Sequence, residues 1–250
     1  MSAIITLDLA GFTPREDEER VWTDEHGVVL SVHDFPLVPD LAAPLDEVGQ
    51  LRRALARSTA AAGAGLIEAS TGLVGGTPAL RQLVKVPLPG RRGQAFIGSW
   101  TVPRDRCSVV LKVQAAEGPV TGMREAVIVD RVGPAAYFRP HPYDPDLTGP
   151  LPYHVGDLEE WDALFPRHPL TLVRAALARA GASAVLDDRF RALPPFPGAA
   201  ASGAHDAHGA GAESGNGSGS GNGNGNGDSL SAGAAAGTER RRRWWQRRGR

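Results

Sequence analysis

The sequence predicts an α+β fold: a mostly antiparallel sheet with packed helices, followed by a disordered C-terminal tail. Three features predict it. First, residues 66–74, 79–88, 93–102 and 107–116 are β-rich, and the separators Gly75-Gly76-Thr77-Pro78, Pro89-Gly90-Arg91-Arg92 and Pro103-Arg104-Asp105-Arg106 are short and turn-like. A parallel connection needs about a dozen residues or more, so these segments are read as antiparallel neighbours. Second, residues 44–62 and 169–180 carry apolar side chains at helical spacing. Third, beyond residue 197 the chain turns to Gly, Ala, Ser and Asn, including Gly-Ser-Gly-Asn-Gly-Asn-Gly-Asn-Gly. Such a run has nothing to bury against an ordering cost of roughly 1 to 2 kcal/mol per residue.

Local chemistry justifies the elements in turn. Val21-Trp22-Thr23 and residues 28–32 flank Asp24-Glu25-His26-Gly27, whose acceptor side chains and closing glycine make a hairpin. The stretch FPLVPDLAAP, residues 35–44, is proline-punctuated and irregular. In residues 44–62, Leu45, Val48, Leu51, Leu55 and Ala62 recur on one helical face. Pro44 suits the first turn, Asp46 and Glu47 suit the positive end of the helix dipole, and Gly63 and Gly65 end the helix.

In residues 107–116, Val109, Leu111 and Val113 alternate with Val110, Lys112 and Gln114, giving one apolar and one mixed face. Residues 121–132 are the second helix candidate, opposed by the β-branched run Val127-Ile128-Val129. Residues 133–166 are loop-like and rich in proline, aromatic and acidic residues, too long for an ordinary connection and therefore a functional segment or an ordered arm. Leu170, Val173 and Leu177 mark the third helix, Gly181 stops it, and RALPPFPG closes the domain.

The organisation that follows is a single domain over residues 1–197, a linker over 198–238 and a basic tip over 239–250. The net charge of −1 hides a split: the part after Pro197 holds seven arginines and four acids, net +3, so the remaining 20 basic and 24 acidic residues leave the domain at −4. Cys107 is the one cysteine, which excludes an intramolecular disulfide framework. The N-terminal segment has no basic leader and its apolar run is broken by Asp8, so no signal peptide is read. No stretch approaches the roughly 20 apolar residues of a membrane span. The expected compartment is the cytoplasm, and the Ala, Gly and Arg richness suggests a bacterial source.

The order of hairpin, helix, antiparallel meander and closing helix resembles the PsbP-like architecture in outline. The segments LVKVPLP, FIGSWTVP, TGMREAVIVD, HPYDPD, WDALFPRHPLTLVR and LPPFP, in that order, resemble an uncharacterised bacterial family of small cytoplasmic proteins. That resemblance implies one domain and carries no activity, cofactor or catalytic residue.

No catalytic signature stands out, and the candidate groups are weighed one by one. Asp144, Asp146, Thr148 and Gly149 match the opening of a calcium loop, but Val155 stands where the bidentate Glu belongs and Asp157 comes two residues late. An Asx-turn is the preferred reading. Asp157, Glu159, Glu160 and Asp162 would serve acid–base chemistry only in a pocket, and are otherwise a solvated turn whose Trp161 and Phe165 anchor the arm. His141, His154 and His168 lack the spacing that puts two ligands on one helix face. Cys107 follows Arg104 and Arg106, which would favour a thiolate, but it opens a strand, where a buried small residue is common. Ser99 lacks the Gly-x-Ser-x-Gly elbow, and the glycines at 72, 75 and 76 lack the Lys-Ser/Thr of a phosphate loop. Arg124, between Glu117 and Glu125, is expected to lock the turn between strand and helix in preference to gripping an anionic ligand. No cofactor is assigned.

The remaining signal is the tip ERRRRWWQRRGR. Arg240, Arg241, Arg242, Arg243, Arg247, Arg248 and Arg250 surround Trp244 and Trp245. Arginines bind phosphates, and indoles sit at bilayer headgroups or stack on exposed bases. The expected function is a non-enzymatic binding or adaptor domain whose tip contacts an anionic membrane or nucleic acid, peripheral at the membrane in the first case. The alternative is an enzyme using carboxylates or histidines of the 141–168 arm.

Overall fold

A computed structural model of the chain describes residues 3–118 and 120–198. The chain runs β1 (Ile4–Thr6), β2 (Phe12–Pro14), β3 (Val21–Asp24), β4 (Val29–Phe35), α1 (Val48–Ala61), β5 (Gly65–Val74), β6 (Thr77–Pro87), β7 (Gln94–Pro103) and β8 (Ser108–Ala116). There follow α2 (Met123–Val132), α3 (Pro134–Tyr137), two 3-10 turns (Val155–Asp157 and Glu159–Leu164), α4 (Pro169–Ser183), β9 (Val185–Leu186) and α5 (Asp188–Arg191). Among the described residues, seven strands form an antiparallel sheet in the order β2-β3-β4-β8-β7-β6-β5, and β1 pairs with β9 in a second, two-stranded sheet. The α+β class and the antiparallel meander follow the sequence expectation.

The pleat assigns the two helices to opposite faces of the sheet. Leu83 of β6, Phe96 of β7 and Val113 of β8 cluster with Val173 and Leu177 of α4. Leu80, three residues from Leu83 and so on the other face, clusters with Leu51 of α1 and with Leu41 and Ala43. Burial of each such Leu, Val or Phe side chain contributes about 1.5 to 3 kcal/mol. Helix α4 approaches the sheet closely because glycines remove the obstacle on both surfaces: a Cβ at Gly98 would stand 2.8 Å from Leu177 Cδ2, and one at Gly181 would meet the Trp100 indole, 2.9 Å from Cε2. Trp100 Nε1 donates to the Leu177 carbonyl at 3.2 Å, which fixes the ring in that contact.

The sequence expectation needs two corrections here, and two of its readings gain detail. Helix α1 starts at Val48, since Pro44 opens a turn closed by Glu47 N–H donating to the Pro44 carbonyl at 3.2 Å. Gly63, at φ +82, ends the helix, but Gly65 belongs to β5, where a Cβ would lie 2.8 Å from the Leu151 carbonyl oxygen. The mixed face of β8 is covered: Val110 and Lys112 are buried, Ser108 Oγ donates to the Leu37 carbonyl at 3.4 Å, and residues 36–44 cross that side of the sheet. Residues 133–166, read as loop-like and as a functional segment or an ordered arm, are ordered by α3 and the two 3-10 turns.

No helix of the described residues is long and apolar enough to cross a membrane.

Candidate functional site

The arm docks on the α4 side of the sheet through ionic contacts. Lys85 of β6, 1% exposed, forms an ion pair with Asp157 at 2.7 Å and donates to the Pro152 carbonyl at 2.8 Å. Burial lowers the Lys85 pKa, with Asp157 opposing the shift. Arg174 of α4 reaches Glu68 at 2.6 Å, both oxygens of Asp162 at 2.9 and 2.8 Å, and the Asp157 carbonyl. Arg81 takes the other Glu68 oxygen at 2.6 Å. A buried charge is tolerated when it is paired and its remaining donors are satisfied, and these cations meet that condition.

This network redistributes the residues singled out in the sequence. Arg124 does not pair with Glu117 or Glu125: its guanidinium donates to the Gly156 and Leu158 carbonyls, Thr171 Oγ1 and Asp162, at 2.8 to 3.2 Å, and lies over the Phe165 ring. It therefore ties α2 to the arm and to α4. Within the acidic cluster, Asp157 and Asp162 enter these pairs, whereas Glu159 and Glu160 are exposed. Trp161 and Phe165 pack against Ile128, Tyr137 and Val155, as the anchoring reading expects. Asp144 accepts from Arg57 Nε at 2.6 Å, which lowers its pKa, while Asp146 and Thr148 are exposed.

The three histidines go to separate tasks. His141 Nε2 bonds the Leu66 carbonyl at 3.0 Å, and its Nδ1 accepts from Tyr143 N–H at 3.2 Å. His154 stacks on Tyr137, ring centroids 4.8 Å apart, and burial lowers its pKa to about 4. His168 caps α4 by accepting from Leu170 N–H at 3.2 Å. Among the described residues these three share no set of converging ligand atoms. Cys107 is also not activated: burial and Asp105 push its thiol up against the opposing arginines. Ser99 is buried in β7.

A ligand-sized space lies elsewhere, on the α1 side at the ends of β5, β6 and β7. It is a groove of about 450 Å³ walled by Pro44, Leu45, Pro78, Pro103, Pro195 and Phe196. FPLVPDLAAP, irregular in the sequence, and the closing LPPFP supply three of those six residues, and Arg104 and Asp105 bond the second of them. Arg104 bridges to Pro195, and Asp105 N–H donates to the Pro194 carbonyl at 3.1 Å.

Arg104 also borders the groove, at 7% exposure. Its Nη2 donates to Thr77 Oγ1 at 3.2 Å and to the Arg191 carbonyl at 2.7 Å, its guanidinium faces the Phe190 ring, and its buried Nε has no partner. Among the described residues no carboxylate forms an ion pair with it, which sets it apart from Arg124, Arg174 and Lys85. Its pKa is lowered, first by burial. Asp46, the one carboxylate in the lining, is exposed. In sequence Arg104 was only a turn residue beside Cys107. What marks it is the absence of a counter-charge, which depends on the chain folding around it.

No protein-family model matches the chain, and no curated protein matches it in sequence. Arg240, Arg241, Arg242, Arg243, Trp244, Trp245, Arg247, Arg248 and Arg250 lie outside the described residues.

Proposed function

We propose that the protein is a binding module whose groove holds an anionic molecule with an apolar body, and whose tip attaches it to an anionic surface. The observation that carries the reading is Arg104: a buried guanidinium without a carboxylate, at the edge of a proline-lined apolar groove. A buried charge left without a counter-ion is costly, and an incoming carboxylate, sulfonate or phosphate would remove that cost while its apolar part covers Leu45 and Phe196. Asp144, Asp157, Asp162 and His141 of the arm are committed to structural bonds, which supports binding over a reaction centred on residues 141–168.

The test is displacement of a fluorescent long-chain carboxylate by dodecanoate. Dodecanoate is expected to compete, and dodecyltrimethylammonium, with the same chain and the opposite charge, is not. A charge-assisted bond is worth about 1.5 to 3 kcal/mol, so Arg104→Gln should weaken binding roughly 10- to 100-fold while Arg104→Lys keeps part of it. Equal binding by the folded Gln variant, or equal competition by the cationic detergent, would refute the groove assignment.

For the tip, full-length protein is expected to co-sediment with phosphatidylglycerol vesicles and a chain ending at Pro197 is not. Each basic residue near such a surface is worth about 1 kcal/mol, and retention should fall with salt. Retention on single-stranded DNA in preference to vesicles would assign the tip to nucleic acid, the second partner the arginine and tryptophan chemistry admits. If both forms behave alike on both surfaces, the tip has no such role.

A further inference from the structure

Glu117, Glu125 and His168 each bring one ligand atom into a set whose members all lie within 4.8 Å of one another. The three come from separate elements. Glu117 follows β8, Glu125 lies in the first turn of α2, and His168 precedes α4. Among the described residues no other set of three His, Cys, Asp or Glu residues converges in this way.

Glu117, 7% exposed, is held in place by its surroundings: its Oε2 accepts from Gln94 N–H at 2.7 Å and its Oε1 from Gly122 N–H at 3.3 Å. Burial raises its pKa, but these bonds and His168 outweigh burial and keep it below the ordinary value. The His168 ring is positioned edge-on to Phe96, centroids 5.3 Å apart, with Nε2 standing 3.8 Å from Glu117 Oε1. The other two members are left with spare atoms. Glu125 Oε2 and His168 Nε2 are both shut off from solvent and neither has a hydrogen-bond partner. Buried polar atoms are normally paired, so Glu125 Oε2, a buried acceptor without a donor beside a second, fixed carboxylate, calls for a cation. The nearby cations are already taken, Arg124 by Asp162 and Lys85 by Asp157.

We propose that Glu117, Glu125 and His168 form a binding site for a divalent transition metal. Two carboxylate oxygens and one imidazole nitrogen, with no sulfur, suit Mn²⁺ or Zn²⁺ better than soft ions, and the imidazole disfavours Mg²⁺ and Ca²⁺. Ligand distances of about 2.0 to 2.2 Å bring the donor atoms closer together than 4.8 Å, so binding draws the three side chains together, and a three-residue set leaves positions for water or a further ligand.

The metal also exchanges one bond for another. Leu170 N–H directed at His168 Nδ1 places the ring proton on Nε2 in the metal-free state. Ligation through Nε2 requires that proton to move to Nδ1, which ends the cap on α4.

Isothermal titration of the full chain with Mn²⁺, Zn²⁺, Mg²⁺ and Ca²⁺ tests the site, because the variants separate it from His205 and His208 in the tail. Asparagine is itself a good helix cap, so His168→Asn removes the ligand and keeps α4 capped. The expected result is one Mn²⁺ or Zn²⁺ bound per chain, weakened at least tenfold in both His168→Asn and Glu125→Gln and unchanged in His26→Asn. Histidine ¹⁵N spectra should show the His168 proton moving from Nε2 to Nδ1 on loading with Zn²⁺. Binding that survives both variants, binding of Mg²⁺ or Ca²⁺ alone, or a His168 tautomer indifferent to metal would each overturn the proposal.

Discussion

Lys85→Met is expected to destabilise the fold by about 3 to 5 kcal/mol, the usual cost of removing one partner from a buried ion pair. Lys85 and Asp157 are each 1% exposed, and methionine fills the space of the lysine stem, so the loss is electrostatic and not a cavity. Without Lys85, Asp157 keeps the His154 N–H at 3.0 Å but loses the ammonium that bonds both of its oxygens. At about 2 to 4 °C per kcal/mol for a protein of this size, the melting temperature should fall by roughly 6 to 20 °C. Lys85→Met/Asp157→Asn should be less destabilised than the two single losses added together, since the second change removes the stranded charge. Urea unfolding of the four proteins reads both quantities. A Lys85→Met midpoint equivalent to less than 1 kcal/mol of loss would mean that water reaches Asp157 in the folded state.

Acid should act through His154. Burial lowers its pKa to about 4 from an ordinary value near 6.5, Asp157 pulling the other way and Lys85 and Arg124 adding to the drop. The unfolded chain therefore binds a proton that the folded chain refuses between those two values. The resulting stability is complete above about pH 6.5, declines as the pH falls, and is gone below about pH 4. A shift of two to three pKa units corresponds to about 3 kcal/mol. His141, its pKa also lowered chiefly by burial, contributes in the same direction. In His154→Phe, which preserves the stack on Tyr137, unfolding free energy should depend less steeply on pH between 6.5 and 4 than in the parent. Parallel curves for the two proteins would assign the acid sensitivity to other groups.

Sequence reading reached the elements whose signal is local. The alternation of Val109, Leu111 and Val113 placed β8, and the turn dipeptides separated β5 to β8, because both depend on neighbours a few residues away. The short strands β1, β2 and β9 were not legible, since two or three residues carry no period and their pairing is decided by the rest of the fold. The polar interior was misread for the same reason. Arg124 has carboxylates one and seven residues away but bonds groups 32 to 47 residues away, and Arg174 reaches Glu68 across 106. Lys85 drew no reading in the sequence, because its partner Asp157 is supplied by the arm, 72 residues along the chain. At Arg104 the informative feature is a partner that is missing, and a sequence shows no such vacancy.

The pairing of Ile4 with Leu186 bears on how the chain assembles as it is made. Strand β1 finds its partner only after the other described strands have emerged, while the β5 to β8 meander meets its neighbours at once. A partly made chain will hold an ordered meander with its α4 face bare, because Val173 and Leu177 come later. Contacts between distant parts of a chain form slowly, and an uncovered apolar face is prone to aggregate while it waits. Yield in the cell should therefore depend on how soon the segment from Pro169 onward follows the sheet.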